Sequence, residues 1–553
     1  LSNERFDYVI VGAGSAGCVL ADRLTADGTR RVLVLEYGGS DRSIFIQMPS
    51  ALSIPMNMPK YNWFYHTEPE PHLNGRRMHT PRGKVLGGSS SINGLVYIRG
   101  NPLDFERWAG EGATGWSYRD VLPYFIRAEA REEGGNEYRG AAGKLQTRYG
   151  TLSNPLHAAW LAAAREAGYP HTPDVNGFQQ EGFGRMDMTV GHGRRCSAAN
   201  AYLRPAMSRP NLKVATHALA TRIVFEERRA RALEYSQGGG ARRVEVNAEV
   251  ILCGGPVNSP QLLKLSGVGP AAELRSLGID VVRDLPGVGE NLQDHLEFYF
   301  QVACKEPITL YSSLDLWSRA LIGARWLLRK DGLGATNHFE TCGFIRSRPG
   351  VRYPDIQYHF LPMAVAYDGS TLAKEHGFQA HVGPMRTKSR GWVRLASADP
   401  RDKPRIFFNY LSQPDDWAEM RACVRLTREI FAQRAFDRYR GREIQPGADV
   451  QSDEQIDEFI RAKVESAYHP SCSCKMGGDG DPLAVVDPET KVRGVDGLRV
   501  VDSSIMPSIT TGNLNAPTIM IAEKAADHIL GKGMLPAANA AFYVAENWQA
   551  AQR

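Results

Sequence analysis

Apolar residues along this chain follow two rhythms, and the places where one gives way to the other mark its elements. Phe6 to Val11 (FDYVIV) is a short, nearly continuous apolar run of the kind a buried strand makes. Ser15 to Leu24 spaces its apolar positions as a helix does, and Arg31 to Leu35 (RVLVL) is a second buried run that ends at Glu36. Gly12-Ala13-Gly14-Ser15-Ala16-Gly17 lies between the first strand and the helix. A strand, glycine turn, helix and strand, with an acid about 20 residues past the glycines, is the pattern of a dinucleotide-binding unit. Its first glycine allows the tight turn, the second lets the backbone approach a pyrophosphate, and the third lets helix and strand pack closely. An acid at position 36 can accept hydrogen bonds from an unphosphorylated ribose, which favours FAD or NAD over NADP.

Further along, Arg82 to Gly94 (RGKVLGGSSSING) is a second glycine-rich segment that would let backbone approach a flat or charged ligand. Two such loops in one chain favour the larger cofactor, a flavin. Val250 to Gly255 (VILCGG) reads as another buried strand ending in glycines, and Leu498 to Val501 (LRVV) runs into Asp502, where a parallel strand would deliver a ligand-facing group. From about Leu296 to Ile444 the pattern changes to aromatic-rich, β-leaning segments, such as Ile356 to Phe360 and Gly391 to Leu395. Amphipathic helices are predicted around Leu316–Leu328 and Trp417–Phe431. This stretch reads as a substrate-covering domain inserted into the cofactor domain. The Ala-rich tail after about Gly531 reads as a docking arm.

Composition narrows the picture. At 553 residues the chain is too long for one simple core, and 42% hydrophobic with 23% charged residues is ordinary globular composition. The formal net charge of +5 is spread thinly. Its densest cluster, Arg228-Arg229-Ala230-Arg231-Ala232, reads as a solvated turn, and no nucleic-acid-binding module is visible. The polar stretch Leu1 to Arg5 does not read as a signal peptide, and no apolar run is long enough to span a bilayer. Eight cysteines are too few for a disulfide framework, and Cys472-x-Cys474 near His469 lacks a second ligand cluster, so no metal is expected. A reducing, cytoplasmic setting is expected, with at most peripheral contact with the inner membrane face.

These residues together resemble the glucose-methanol-choline (GMC) flavin oxidoreductases. Gly83 through Glu106, with Gly87-Gly88, Asn93, Tyr97 and Gly100, is similar to the first signature of that family, and Gly255 through Gly269 to the second. Within the family the resemblance is greatest to the bacterial choline dehydrogenase subfamily. It is carried by Tyr61-Asn62-Trp63, Leu285 to His295 (LPGVGENLQDH), Asn337 to Glu340 (NHFE), Ile356 to Pro362 and Gly512 to Ile521. The resemblance implies an α/β FAD-binding Rossmann-like domain plus an α+β substrate domain with an antiparallel sheet. We expect the cofactor domain in three pieces (1–155, 212–295 and 456–535). The substrate domain would span 296–455, with substrate-domain and connecting segments at 156–211 and a tail at 536–553.

The resemblance also implies roles. Tyr468-His469-Pro470 matches the motif that holds the active-site histidine of the family, with Cys472 where the family usually has glycine. The second polar group falls on Asn515, which would orient the alcohol oxygen while His469 takes the proton. Gly12, Gly14 and Gly17, with Ser15 and Ala16, would meet the pyrophosphate, and Glu36 the adenosine ribose. Tyr37 is larger than the family's usual residue beside that acid. Trp63, Arg82, Val85, Gly87 and Gly88 would line the flavin and pyrophosphate, followed by Ser89, Asn93, Gly94 and Val96. Ala220 would contact adenine. Asp502, Ser503, Asn513, Pro517 and Thr518 would lie near the ribityl chain and pyrimidine. Ile92 stands where some choline oxidases attach flavin through histidine, so FAD is expected to be noncovalent. Glu340, Phe339 and His359 would hold a quaternary ammonium, with Trp63 as a further ring. The expected reaction is oxidation of a primary alcohol, choline first, with a neutral aliphatic or aromatic alcohol as the alternative. The electron acceptor stays open among a quinone, an artificial dye and O2, and so do a non-redox FAD-containing lyase and the oligomeric state.

Overall fold

A computed structural model describes residues 4–366 and 375–553; the start of the polar N-terminal stretch, Leu1–Asn3, lies outside the described residues. Two sheets organise the chain. In the first, Val32–Leu35, Arg5–Val11, the second half of Gly240–Leu252 and Leu498–Val500 run parallel, with Leu212–Ala215 added at the outer edge. Val11 is level with Leu35 on one side and with Leu252 on the other, and Leu252 with Val500. The residues that follow each strand, Gly12, Glu36, Gly254 and Asp502, therefore emerge along one edge. Parallel strands of this kind are buried on both faces, which is why their sequences are continuous apolar runs rather than alternating ones.

The strand read at Val250 is longer than its apolar run. It begins at Gly240, and its first half pairs antiparallel with Arg229–Gln237, which pairs in turn with Ala218–Glu226. The arginine cluster sits at this hairpin: Arg228 is exposed in the turn, and Ala230 and Ala232 already point inward from the strand. Helices Ser15–Leu24 and Asn515–Ile529 pack together in the core of this domain.

The second sheet has the order Arg440–Gln445, Leu296–Cys304, Gly377–Pro384, Ile356–Leu361, Thr341–Ile345, Gly182–Arg185 and is antiparallel throughout. One face carries Phe298, Phe300, Tyr358, Phe360, Phe378 and Val382 into an apolar core with helices Pro155–Glu166 and Pro414–Phe431. Gly182–Arg185 joins this sheet and Leu212–Ala215 the first, so the chain crosses between domains inside the segment read as connecting. Gly391 to Leu395 contributes a strand, Trp392–Arg394, to a separate hairpin with Arg405–Phe407. Helix Leu316–Arg329 forms as predicted, with only Trp326 buried. The tail docks on several elements, Ala538 N–H donating to Arg119 O and Tyr543 N–H to Phe178 O. Among the described residues, no helix is long and apolar enough to cross a membrane.

Candidate active site

A long cavity opens where the parallel strands end and runs to the second sheet. At its first end, Gly12, Gly14, Ser15 and Ala16 form one wall, and Glu36 and Ala220 another. Glu36 braces the glycine loop: its carboxylate accepts from Ala13 N–H (3.0 Å) and Gly38 N–H (2.7 Å). Burial nonetheless pushes its carboxyl up to about 7. A Cβ on Gly17 would lie 1.9 Å from Gly12 O, so Gly17 is required by chain packing on chain. A Cβ on Gly14 would meet nothing closer than 3.8 Å, and one on Gly94 nothing within 4 Å. Those two glycines leave room beside the wall that a bound dinucleotide would fill. Helix Ser15–Leu24 has no side-chain cap and no acid in its first turn, which leaves its N-terminal end suited to phosphate. These features fit FAD.

The middle of the cavity is shaped by the second glycine segment. Gly88, Ser89, Asn93, Gly94 and Val96 line it, with Arg82 and Trp63. Gly88 adopts φ +53°, and a Cβ on it would lie 2.7 Å from Gly14 Cα, so the two glycine loops touch where Gly88 tolerates no side chain. Arg195, which the sequence reading missed, sits behind this segment at 1% exposure. Its guanidinium donates to Asn93 O (2.7 Å), Asn93 Oδ1 (2.9 Å) and Ile46 O (2.8 Å). Trp63 stacks between Tyr37 (5.0 Å) and Tyr65 (5.7 Å), so the large Tyr37 extends the aromatic wall. Burial lowers the Arg82 guanidinium to about 10.

At the far end lies His469. Its backbone N–H donates to Asp294 Oδ1 (2.7 Å), and Tyr468 before it holds φ +64°, a strained value for an aromatic residue. The proton positions follow from the contacts. His295 Nε2 faces Met385 O (3.0 Å), an acceptor only, so it carries the proton and His295 Nδ1 is a lone pair. His295 Nδ1 is 3.1 Å from His469 Nδ1, which must then be the donor. His469 Nε2 is left as a lone pair, facing Asn513 Nδ2 at 3.0 Å. Burial, then His295, His359 and Arg82, holds the His469 imidazolium value well below the usual 6.5, and burial lowers His295 to about 4. The result is a neutral base with its lone pair on the cavity side. Asn513 Oδ1 accepts in turn from Gln357 Nε2 (3.1 Å), whose amide nitrogen also lies 3.0 Å from His359 Nε2.

Two expectations at this end are corrected. Asn515 does not face His469: its Oδ1 accepts from Ser15 Oγ (2.8 Å), tying the last helix to the glycine loop. Asn513 takes the place beside the histidine, because Asn515 is already inside helix Asn515–Ile529 while residue 513 precedes it. Glu340 is buried but does not line the cavity. It accepts from Leu152 N–H (2.6 Å) and Thr336 Oγ1–H (2.9 Å), because Phe339 takes the cavity side and the next residue in an extended chain points the other way. Phe339 and His359 are on the wall, as are Asp502, Ser503 and Thr518. Gly17, Val85, Gly87 and Pro517 lie behind it: Val85 is wholly buried and Gly87 N–H donates to Ala13 O. Asp502 is largely committed to Gly255 N–H (2.8 Å) and Ser259 Oγ (2.6 Å). Cys472 keeps φ +73°, the left-handed backbone for which a glycine is suited.

Sequence reading missed Glu297 and His381, both on the cavity wall. The signal was present as period-two polar positions: 295, 297, 299 and 301; 357 and 359; 379 and 381.

The chain is similar to known proteins over nearly its whole length. Two family models, both described as GMC oxidoreductase, match residues 6–297 and 387–522. A protein of Photobacterium profundum named oxygen-dependent choline dehydrogenase is 58% identical over 553 residues, 100% of this chain and 97% of that protein. Pyridoxine 4-oxidase from Mesorbium loti superposes with a TM-score of 0.87 at 30% identity, covering 96% of this chain and 100% of that one. A formate oxidase variant of Aspergillus oryzae RIB40, solved for its FAD modification, gives 0.90 at 25% identity, with 96% and 99% covered.

Proposed function

The chain belongs to the GMC oxidoreductase family, and from that premise we propose that it is an FAD-dependent alcohol dehydrogenase that oxidises choline to betaine aldehyde. The observation that carries the chemistry is the fixed tautomer of His469, a neutral imidazole whose proton sits on Nδ1 and whose Nε2 is the acceptor, held against the exchangeable Asn513 amide. Full-length identity to a protein named choline dehydrogenase supports choline as the alcohol.

The glycine loops, Glu36 and Arg82 would hold FAD along the cavity. FAD bound there supplies the acceptor for the hydride that leaves the carbinol carbon. His469 Nε2 takes the hydroxyl proton, and its Nδ1–H, held by His295, keeps the ring oriented as it charges. Asn513 donates to His469 Nε2, and it gives up that contact to donate to the alcohol oxygen, where negative charge develops as the proton leaves. Loss of one proton and one hydride turns the alcohol into the aldehyde. Ile92, on the wall, offers no nucleophile to a flavin, which supports noncovalent binding.

The test is anaerobic mixing with choline, and separately with aliphatic and benzylic alcohols, while following the visible flavin band. Bleaching by choline is expected. Bleaching by neutral alcohols alone would keep the family chemistry and overturn the substrate, and no bleaching by any alcohol would point to a lyase.

A second reading concerns location. Leu316, Trp317, Leu321 and Leu328 are exposed on helix Leu316–Arg329, Trp317 at 82% and Leu328 at 85%, with Arg319 and Arg329 alongside. Exposed apolar residues flanked by cations suit an anionic lipid surface. We propose peripheral membrane contact through this helix. Co-sedimentation with anionic vesicles should be lost in Trp317→Glu/Leu328→Glu, and equal sedimentation of that variant would refute the reading.

A further inference from the structure

Arg99, Arg139, Arg195, Arg346 and Arg499 are all buried to 4% exposure or less. Four of these arginines meet a carboxylate. Arg99 and Arg139 both reach Glu129 (2.6 Å each), Arg346 reaches Glu181 (2.8 Å) and Arg499 reaches Glu249 (2.6 Å). Arg195 has no carboxylate partner among the described residues. Its guanidinium donates to Ile46 O (2.8 Å), Ser90 O (3.3 Å), Asn93 O (2.7 Å) and Asn93 Oδ1 (2.9 Å), all neutral oxygens, and its Nη2 has no hydrogen-bond partner. Asp41, which approaches this corner through Gln47 and Asn200, is taken by Arg204 (2.6 Å). Burial lowers Arg195 to about 9, so it is still a cation at neutral pH.

Bracing the Asn93 turn does not require that charge. A neutral donor would make the same bonds without the cost of taking an ion out of water. A buried cation with no counter-ion in its own chain suits a negative charge that arrives with a ligand.

The place of Arg195 says which charge. The segment it holds has two ends. Gly88 touches Gly14, at the loop where the pyrophosphate is expected. Asn93 and Gly94 stand at the other end: Gly94 O accepts from Asn337 Nδ2 (2.9 Å), and Asn337 Oδ1 accepts from Phe339 N–H (3.1 Å), on the substrate side of the cavity. Arg195 Nη1 grips this second end, from behind the wall that Asn93 lines. The reacting ring of the cofactor has to lie beside the substrate carbon, so it belongs at the Asn93 end. A hydride brings two electrons and one proton, so a neutral ring that accepts it gains one unit of negative charge. Opposite unit charges about 8 Å apart at an effective dielectric of about 20 shift an equilibrium by more than tenfold.

We propose that Arg195 is a fixed positive charge that favours the reduced flavin, acting from behind Asn93. The proposal rests on FAD binding in the cavity and not on which alcohol is the substrate. Arg195 is a positioning residue for Asn93, and its further contribution is its charge.

The test is made without alcohol. The bound flavin of wild type, Arg195→Met and Arg195→Gln is titrated against dyes of known potential. It is titrated separately with sulfite, an anion that adds to the oxidised ring and bleaches its visible band. In Arg195→Met the reduction equilibrium should shift about tenfold against the reduced form, about 30 mV for a two-electron couple, and sulfite should bind about tenfold more weakly. Arg195→Gln keeps a hydrogen-bond donor and loses only the charge, so it should shift as far as Arg195→Met. Wild-type values in Arg195→Gln would leave Arg195 a brace alone and overturn the proposal, and so would wild-type values in Arg195→Met. Should one variant fail to fold, the other carries the same expectation and the same refutation. Loss of bound flavin from both would assign Arg195 to cofactor retention and overturn its assignment to the reduced ring. A wild type without bound flavin would instead overturn the cofactor reading of the preceding subsection, and this inference with it.

Discussion

The two ends of the cavity are built by different means. The nucleotide end is made of backbone: glycines that let chain approach chain or ligand, one carboxylate that braces the loop, and the exposed start of a helix. The substrate end is made of side chains that hold one another in place, His295 on His469, His469 on Asn513, His381 on Glu297. A backbone site fails when something fills it. A side-chain network fails when one donor or acceptor is lost. The two ends should therefore break differently.

The largest effects separate them cleanly. Gly14→Val places a branched side chain in space left open beside the wall, and loss of bound flavin with all activity is expected, read from the visible spectrum of the purified protein. His469→Gln should retain flavin and lower kcat by about a thousandfold, because it removes the base and leaves the cradle intact. A His469→Gln protein that purifies without flavin would erase the distinction between the two ends.

A sharper version uses two asparagines that are two residues apart. Asn513→Ala removes the amide at His469 Nε2 and should cost about 10- to 100-fold in kcat with flavin content unchanged. Asn515→Ala removes the acceptor for Ser15 Oγ and should act on flavin retention, leaving kcat of the loaded enzyme within about threefold. The reverse outcome would return Asn515 to the catalytic role implied by family resemblance.

Those asparagines also illustrate what the sequence could tell. Gly12, Gly14 and Gly88 were legible because a backbone site dictates glycine, where chain meets chain or leaves room for a ligand, and Glu36 because it stands at a set distance past the turn. At the substrate end, resemblance brought the right segments together but not the right faces. Asn513 and Asn515 differ by whether the helix has begun, and Phe339 and Glu340 by which side of an extended chain they occupy. Those distinctions depend on tertiary register. The two-residue polar period that leads to Glu297 was visible in the sequence, yet it gains meaning only once the apolar face is known to pack on helices Pro155–Glu166 and Pro414–Phe431. Arg195 left no such trace, since its partners are backbone carbonyls and one amide far away in the chain.

The two ends should also differ in pH response: burial raises the Glu36 carboxyl at the nucleotide end to about 7, whereas the histidines of the side-chain end are depressed. His469 is held well below 6.5 and His295 at about 4, in each case by burial first. A histidine whose folded value is depressed contributes stability that is present above its unfolded value of about 6.5 and is lost as pH falls through the folded value. With Glu36 acting on flavin retention rather than on the chemical step, kcat of the flavin-loaded enzyme with choline should stay level from about pH 8 to about 6.5 and decline only at more acid pH, as His469 begins to protonate. Thermal stability should fall over the same acid window. An activity midpoint at or above 6.5 would mean that His469 is solvated in the working enzyme.

The smallest effect lies at Cys472, where the family resemblance leads one to expect glycine and the backbone is left-handed. Cys472 holds φ +73° and is fully buried, its thiol against Ser471 Oγ (3.2 Å). Cys472→Gly would relieve about 1 kcal/mol of left-handed strain. It would also lose the buried thiol, about 1 kcal/mol, and add the conformational freedom of glycine to the unfolded chain, about 0.5–1 kcal/mol. The sum is a small net loss of about 0.5–1 kcal/mol, so a Tm lower than wild type by no more than about 2 °C is expected. Cys472→Ala keeps the strain and loses the thiol, so it should melt lower than Cys472→Gly. If Cys472→Ala instead melts with wild type, the thiol contributes nothing, and strain relief should then raise the glycine variant above both.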